Sequence, residues 1–268
     1  ENSRWGGIDI INHLGGKRGI FKSLSEEERR NIISLYDGEI RYTDVRLVGY
    51  LIDRLKEMNL YEQTMIVLTS DHGEEFYDHG SWEHGQNLYD ESLKVPLIIK
   101  FPGSKFKQKR VETIVRLVDV MPTILDELGI DISNLDLDGK SLIPLLNGKE
   151  RGDREFLADL GDNVMNSHIP KKIAINLNRY KLILNKSFSQ EDREFFLFPP
   201  PAMPSVELYR LDLDSLEKNN QAEKESRVAK ELALKIEEIY SRAKTRKTGK
   251  VELDEKLKEQ LRALGYLR

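Results

Sequence analysis

One short apolar segment constrains the fold of this chain more than any other. The run from Thr64 to Thr69 is apolar and rich in β-branched residues, and it ends abruptly in the polar sequence Ser70-Asp71-His72-Gly73. A continuous apolar run of this length, followed by a turn signal, is typical of a buried strand in a parallel sheet. Open α/β sheets bind their ligands just beyond the carboxyl ends of such strands. The polar tetrapeptide is therefore the first candidate for a site of chemistry.

A long helix is predicted before this strand. Ser25 and Glu28 have the spacing of a capping box, with a hydroxyl at the N-cap and a carboxylate three residues later. Apolar residues then recur at helical spacing from Ile32 to Leu55. We expect one long helix, with a possible break near Gly38.

Further secondary structure is predicted on the C-terminal side of the strand. The run from Val95 to Phe101 predicts a second strand, which Pro102-Gly103 closes, and the segment from Thr113 to Val118 predicts a third. Asp119 is expected to begin a helix that tolerates Pro122 in its first turn and ends at Gly129.

The pattern changes after about residue 150. The segments that now read as strands are Phe156–Ala158, Lys172–Leu177, Tyr180–Leu184 and Val206–Leu211. Helices are predicted over residues 220–244 and 253–264. The predicted fold is α/β, with residues 1–150 forming part of a mostly parallel central sheet flanked by helices. Residues 151–268 are expected to form a small subdomain with an antiparallel sheet.

Composition excludes several classes of function. The 268 residues are 39% hydrophobic and 33% charged, with a formal net charge of −4, which is typical of a globular protein without a basic surface for nucleic acid. No run reaches the roughly 18 apolar residues of a membrane span. The chain has no cysteine, which excludes a disulfide framework and a cysteine nucleophile within it.

Histidines and carboxylates are concentrated just after the predicted strand. His72, His79 and His84 lie close together among several acidic residues. A carboxylate and an imidazole at a strand end suit a divalent cation, since Asp71 offers a hard oxygen and neutral His72 offers a nitrogen that also fits Zn²⁺ or Mn²⁺. From spacing alone the alternative is that both residues merely cap a turn, with Gly73 supplying backbone freedom.

Ordered sequence blocks decide between these interpretations. They are Tyr36-Asp37-Gly38-Glu39-Ile40, Ser70-Asp71-His72-Gly73-Glu74, His84-Gly85, Val95-Pro96-Leu97-Ile98-Ile99, Asp119-Val120-Met121-Pro122-Thr123, Leu137-Asp138-Gly139, Glu207-Leu208-Tyr209-Arg210-Leu211-Asp212 and Leu261-Arg262-Ala263-Leu264-Gly265-Tyr266. Together they resemble the sulfatase family of the alkaline phosphatase superfamily, from about residue 25 to the C-terminus.

The resemblance implies roles for four residues. Asp71 and His72 match a pair of metal ligands, and His84, with His79 as second candidate, matches a basic residue that contacts sulfate or phosphate oxygens. The implied cation is Ca²⁺, or Mn²⁺ or Zn²⁺ if His72 is a ligand. The implied reaction is hydrolysis of a sulfate ester of a small molecule or saccharide, and family habit suggests a periplasmic or extracellular location.

One expected motif is missing. Sulfatases carry a Cys- or Ser-x-Pro-x-Arg motif whose first residue becomes a formylglycine nucleophile, and this chain has neither that motif nor an early Asp-Asp pair. We therefore expect a fragment that is inactive alone, whose partner is the N-terminal half of the same protein. The alternatives are a phosphonate or phosphodiester hydrolase or a phosphoglycerol transferase of the same superfamily, and a non-catalytic module that binds a metal or a partner.

Three weaker candidates complete the sequence survey. Asp9 and His13 have the Asp-x-x-x-His spacing of a second zinc site, but no strand precedes them. His168 has no evident partner and is expected to be structural or exposed. The run from Phe195 to Pro201 is interpreted as loop packing.

Overall fold

The computed structural model describes residues 25–152, 154–160, 171–185 and 203–245, together with residues 255 and 258. The predictions for Asp9, His13, His168 and the run from Phe195 to Pro201 lie outside the described residues, as does most of the short helix predicted for 253–264.

The predicted long helix is present, with an irregular centre. It consists of α1 (Glu26–Thr43), a π-helical segment (Asp44–Gly49) and α2 (Tyr50–Glu57). Ser25 caps α1 through the expected reciprocal bonds with Glu28. The distortion lies six residues beyond the predicted break, because the π-helical turn inserts at Asp44 while Gly38 continues the α-helix. All residues of these three segments are described, and none is fully buried.

The strand that ends before Asp71 pairs with the second predicted strand. β1 (Ile66–Thr69) runs antiparallel to β4 (Leu97–Lys100), with Thr69 opposite Leu97. Between them lie a short hairpin of β2 (Glu75–Phe76) and β3 (Trp82–Glu83) and a single helical turn, α3 (Asp90–Leu93). This connection contains no crossover helix of the length that a parallel neighbour requires.

The α/β class is confirmed, with helices and three sheets in the described part of the chain. All strand pairs within the described ranges are antiparallel. The parallel pairing predicted for the central sheet is thus not represented among these strands.

The prediction of a strand from Thr113 to Val118 is wrong. This segment has no strand pairing, and a 3-10 turn (Leu117–Asp119) occupies its end before α4 (Val120–Glu127) begins. The reason is Asp119, whose side chain is fully buried. It accepts hydrogen bonds from the backbone N–H and the guanidinium of Arg116, and it forms an ion pair with Arg154 at 3.0 Å. These bonds stabilise the turn at the end of the segment. A further single turn, α5 (Ile143–Leu146), follows.

The antiparallel sheet of the C-terminal part is confirmed. β5 (Phe156–Leu160), β6 (Lys172–Leu177), β7 (Tyr180–Asn185) and β8 (Val206–Arg210) form a four-stranded sheet in chain order. Its buried apolar side chains are Ala174, Ile175, Leu182, Ile183 and Leu208. Helix α6 (Ser226–Thr245) follows the sheet.

Two compact units divide the chain between Leu232 and Ala233, a boundary that lies inside α6. The domain boundary predicted near residue 150 stays a prediction. Among the described helices, none combines the length and the apolar character that crossing a membrane demands.

Candidate metal centre in the loop after β1

A close backbone contact fixes the start of the loop after β1. The N–H of Gly73 donates to the carbonyl of Ser92 at 2.9 Å. A Cβ atom on Gly73 would lie 1.9 Å from the carbonyl oxygen of Glu91, so no larger residue fits there without moving the backbone. The glycine is therefore needed for this close approach, whereas the sequence suggested a need for backbone freedom.

Asp71 and His72 present their side chains to solvent at the end of β1. The Asp71 carboxylate is 83% exposed, and its Oδ2 lies 3.8 Å from Nε2 of His72. A hydrogen bond from the backbone N–H of Asp71, followed by the charge of His72, lowers the pKa of the Asp71 carboxyl. Nδ1 of His72 lies 2.8 Å from the carbonyl oxygen of Gly73. A carbonyl only accepts, so Nδ1 carries the proton and Nε2 of the neutral ring keeps a lone pair.

His84 joins this pair from the far end of the loop. Its ring stacks on the ring of His72, with centroids 3.8 Å apart and an interplanar angle of 26°. Its Nδ1 lies 3.1 Å from Oε2 of Glu74. The His84 side chain is 47% exposed and the Glu74 side chain 21% exposed. Ligand atoms of His72, Glu74 and His84 all lie within 4.8 Å of one another.

Carboxylates dominate the electrostatics of this cluster. The hydrogen bond that His84 donates to Glu74, reinforced by the charges of Glu74, Glu83 and Asp71, raises the pKa of His84 against an opposing desolvation effect. Burial and the nearby charge of Glu74 raise the pKa of Glu83. Three carboxylates around two imidazoles make the site attractive to cations.

His79, the second candidate for contact with the substrate, lies in a different environment. Its side chain is only 10% exposed and stacks on Tyr89 at 3.6 Å. Nδ1 lies 2.5 Å from Oε1 of Glu91, and Nε2 lies 3.0 Å from the main-chain carbonyl of Glu217. Desolvation opposes protonation, but the bonds to Glu91 and Glu217 prevail and raise the pKa of His79. Both ring nitrogens are already bound within the protein.

Buried ion pairs hold this loop against the four-stranded sheet. Lys181 of β7 is fully buried and places its Nζ 2.7 Å from Asp90 and 2.8 Å from Glu217. The Glu217 carboxylate also accepts a hydrogen bond from the backbone N–H of Asp90 at 2.6 Å. Glu75, likewise buried, accepts backbone hydrogen bonds from His79 and Ser81 at 2.8 Å each. The carboxyl-terminal sheet thus positions the loop that carries the candidate site.

The structure brings Asp71, His72 and His84 together and leaves His79 in the buried part of the loop. Glu74 is the residue that sequence reasoning missed as a participant, since it was counted only as an acidic neighbour. Its position directly after Asp-His-Gly was a signal, but pairing with a histidine ten residues later is not visible in spacing. The assembled donors are carboxylate oxygens and imidazole nitrogens, a set that can bind a divalent cation.

Comparisons with known proteins show which family the chain resembles. The sulfatase family profile matches residues 13–130, and the profile of the C-terminal part of N-sulphoglucosamine sulphohydrolase matches residues 77–242. Arylsulfatase K of Bos taurus is 29% identical over 224 residues, which cover 81% of this chain and 38% of the relative. Choline-sulfatase of Rhizobium meliloti is 30% identical over 205 residues, covering 75% of this chain and 35% of the relative. The chain thus spans well under half the length of these relatives.

Solved structures agree on the fold. A putative sulfatase from Bacteroides thetaiotaomicron superimposes with a TM-score of 0.67 at 22% identity, over 87% of this chain and 48% of that one. A protein solved in complex with its substrate D-glucosamine-2-N,6-O-disulfate superimposes with a TM-score of 0.54 at 25% identity, over 74% of this chain and 38% of that one. With one profile spanning more than half of its residues, the chain belongs to the sulfatase family.

Proposed function

We propose that this chain forms part of an enzyme that hydrolyses sulfate esters with the help of a divalent cation. The observation that carries the proposal is the exposed Asp71–His72 pair, whose Oδ2 and Nε2 atoms lie 3.8 Å apart at the end of β1 in a member of the sulfatase family. The N-terminal half of a longer protein would supply the nucleophile, expected to be a formylglycine, and the remaining metal ligands. That half is the expected partner of this chain, and the chain alone is expected to be inactive.

The donors of the pair fit a cation. The Asp71 carboxylate is exposed and its pKa is lowered, so the side chain is ionised at neutral pH. The Nδ1–H of His72 is held by the carbonyl of Gly73, which leaves Nε2 as the ligand nitrogen. Asp71 and His72 would therefore hold the cation, which would neutralise negative charge on the sulfate group. The family suggests Ca²⁺, while an imidazole ligand favours Mn²⁺ or Zn²⁺.

His84 is the proposed contact to the substrate. Its Nδ1–H is oriented by Glu74, and the raised pKa favours the imidazolium form, which can donate from Nε2 to a sulfate oxygen or to the leaving oxygen. His79 has no ring nitrogen to offer in this conformation, because Glu91 and Glu217 bind both. His84 is thus the stronger of the two candidates.

We further propose a sulfated saccharide as the substrate class and a location outside the cytoplasm. The substrate class is supported by the family profile of an N-sulphoglucosamine sulphohydrolase and by the solved relative whose substrate is a disulfated glucosamine. The proposed location rests only on where members of this family usually occur.

The decisive test replaces Asp71 in the full-length protein. Asp71→Ala should reduce both bound cation and turnover of aryl sulfate at least about 100-fold, since loss of an outer-shell partner alone already costs 10–100-fold. Asp53→Ala, an exposed aspartate of α2, is the matched control and should change neither. Unchanged metal content and turnover in Asp71→Ala would refute the proposal. Preferred turnover of matched phosphate or phosphonate esters would instead indicate the related reactions of the superfamily.

A further inference from the structure

The loop after β1 holds a second set of metal donors that the resemblance does not assign. Its members are two imidazoles, His72 and His84, and one carboxylate, Glu74, with ligand atoms within 4.8 Å of one another. The family pair uses Asp71 and His72, so Glu74 and His84 have no assigned role as ligands. All three residues belong to the described part of this chain and are partly exposed, so an ion can reach them.

The contacts around the two imidazoles leave one nitrogen of each ring for a metal ion. Nδ1 of His72 donates to the carbonyl of Gly73 at 2.8 Å, so Nε2 is the available nitrogen of this ring. Nδ1 of His84 lies 3.1 Å from Oε2 of Glu74, and a metal ion that replaces the proton between them would bind both atoms. Metal-bound histidines commonly donate their other nitrogen to a carbonyl, as His72 does here.

The stacking of the rings keeps the two imidazoles together without a metal ion. Their centroids are 3.8 Å apart. Ligand atoms around a tetrahedral zinc ion, with bonds of about 2.0–2.1 Å, are roughly 3.4 Å apart. One ligand atom from each residue lies within 4.8 Å of the others, so reaching this spacing requires side-chain movements of at most about 1.5 Å.

The donor set favours a borderline transition metal over a hard cation. Two imidazole nitrogens and one carboxylate oxygen are typical ligands of Zn²⁺, whereas Ca²⁺ prefers six to eight oxygens. Asp71 and Glu83 add negative charge nearby, as their effect on the pKa of His84 indicates. We propose that His72, Glu74 and His84 bind one zinc ion, with the fourth position left to water.

Zinc at this site would compete with the family cation for His72. Because Nε2 of His72 has one lone pair, it cannot bind both ions at the same time. This consequence rests on the proposed function, whereas zinc binding itself does not, since all three ligands lie in this chain.

The test is calorimetric titration of the metal-free 268-residue chain with ZnCl₂. One high-affinity ion per chain is expected, and Glu74→Gln and His84→Ala should each weaken binding at least about 100-fold. Glu83→Gln is the matched control, because it removes a neighbouring carboxylate that is not a ligand. It should weaken binding only about threefold, through the loss of one nearby charge.

Other outcomes would overturn the proposal. It fails if no zinc binds, or if Glu83→Gln weakens binding as much as Glu74→Gln does. It also fails if Asp71→Asn abolishes zinc binding while His84→Ala leaves it intact, because the ion would then occupy the family pair. Zinc binding that survives Asp71→Asn while sulfate hydrolysis by the full-length protein is lost would support this site separately from the proposed function. In NMR spectra zinc should shift the ring signals of His72 and His84 but not those of His79.

Discussion

Two of the histidine–carboxylate pairs in the loop after β1 differ in almost everything except residue type. His84 and Glu74 are 3.1 Å apart and partly exposed, and their contact uses only Nδ1 of the histidine. His79 and Glu91 are 2.5 Å apart, mostly buried, and the second nitrogen of His79 binds the carbonyl of Glu217. One pair can therefore exchange partners with a ligand, while the other connects two segments of the protein.

The difference between the two pairs shows how the candidate site is held in place. The buried pair of His79 and Glu91, together with Lys181, attaches the loop to the antiparallel sheet. The exposed pair of His84 and Glu74 is therefore not needed to hold the loop in place. Chemistry and attachment are thus divided between residues only five positions apart. Four predictions test this division of roles, in order of decreasing expected effect.

The largest effect is expected from truncating each histidine in turn. His79→Ala should lower the free energy of unfolding by about 3 kcal/mol, because it leaves the Glu91 carboxylate and the Glu217 carbonyl buried without a donor. His84→Ala should cost less than about 0.5 kcal/mol, since its ring is half exposed. Urea unfolding of the two variants measures both. Equal losses in the free energy of unfolding would show that the two pairs contribute equally to stability, which contradicts the proposed division of roles.

A smaller effect is expected from neutralising the carboxylates. Glu91→Gln keeps the shape of the buried side chain but removes its charge, and should cost about 1.5 kcal/mol. Glu74→Gln should change the free energy of unfolding by less than about 0.5 kcal/mol, because the pair of Glu74 and His84 is partly exposed and screened by solvent. Thermal unfolding at a common pH gives the comparison. A Glu74→Gln variant as unstable as Glu91→Gln would assign the exposed pair a structural role.

The buried pair should also make stability depend on pH. The pKa of His79 is raised in the folded state, so its contribution is fully present below the unfolded value of about 6.5 and is lost as pH rises through the folded value. The groups that face the ring are Glu91, the main chain of Glu217, and the charges of Glu75 and Lys218.

The measurement is urea unfolding across this pH range. The wild-type chain should lose more stability than His79→Gln between pH 6 and the folded pKa of His79. His84→Gln serves as the matched histidine control and should retain most of the wild-type dependence. Identical curves for the wild type and His79→Gln would contradict the assignment.

The smallest effect concerns the ionisation of His84 alone. In the metal-free chain Glu74→Gln should lower the pKa of His84, because the hydrogen bond that His84 donates to the Glu74 carboxylate is the largest cause of its upward shift. Glu83→Gln should lower it less, since Glu83 acts only through its charge. NMR titration of the ring protons resolves both shifts. A larger shift in Glu83→Gln would mean that Glu74 does not hold the ring.

Local signals predicted much of the fold. The capping box at Ser25 and Glu28 placed the start of α1, and β6 (Lys172–Leu177) has the predicted bounds. These elements follow from interactions between near neighbours in the chain. The segment from Thr113 to Val118 shows the limit, because its conformation depends on the ion pair between Asp119 and Arg154, 35 positions further on. A pattern confined to a short window does not contain such a contact.

The candidate site was also predicted in part from the sequence. Asp71, His72 and His84 were named from sequence, and the structure places them together. The resemblance ranked His84 ahead of His79, but sequence could not show the physical difference between them, which lies in burial and in the contacts of His79 to Glu91 and Glu217. The sequence also gave no reason to pair Glu74 with His84, since that pairing depends on how the β2–β3 hairpin folds back.

The tight fit of Gly73 against the carbonyl of Glu91 affects how variation in this loop should be interpreted. If positions 71, 72 and 73 were randomised together, selection for folded protein alone would already restrict position 73 to glycine. Positions 71 and 72 would tolerate many residues until the selection demanded a bound cation or turnover. The adjacent residues Asp71, His72 and Gly73 are therefore under two separate constraints, backbone packing at Gly73 and ligand chemistry at Asp71 and His72. A match at the glycine alone gives no information about catalysis.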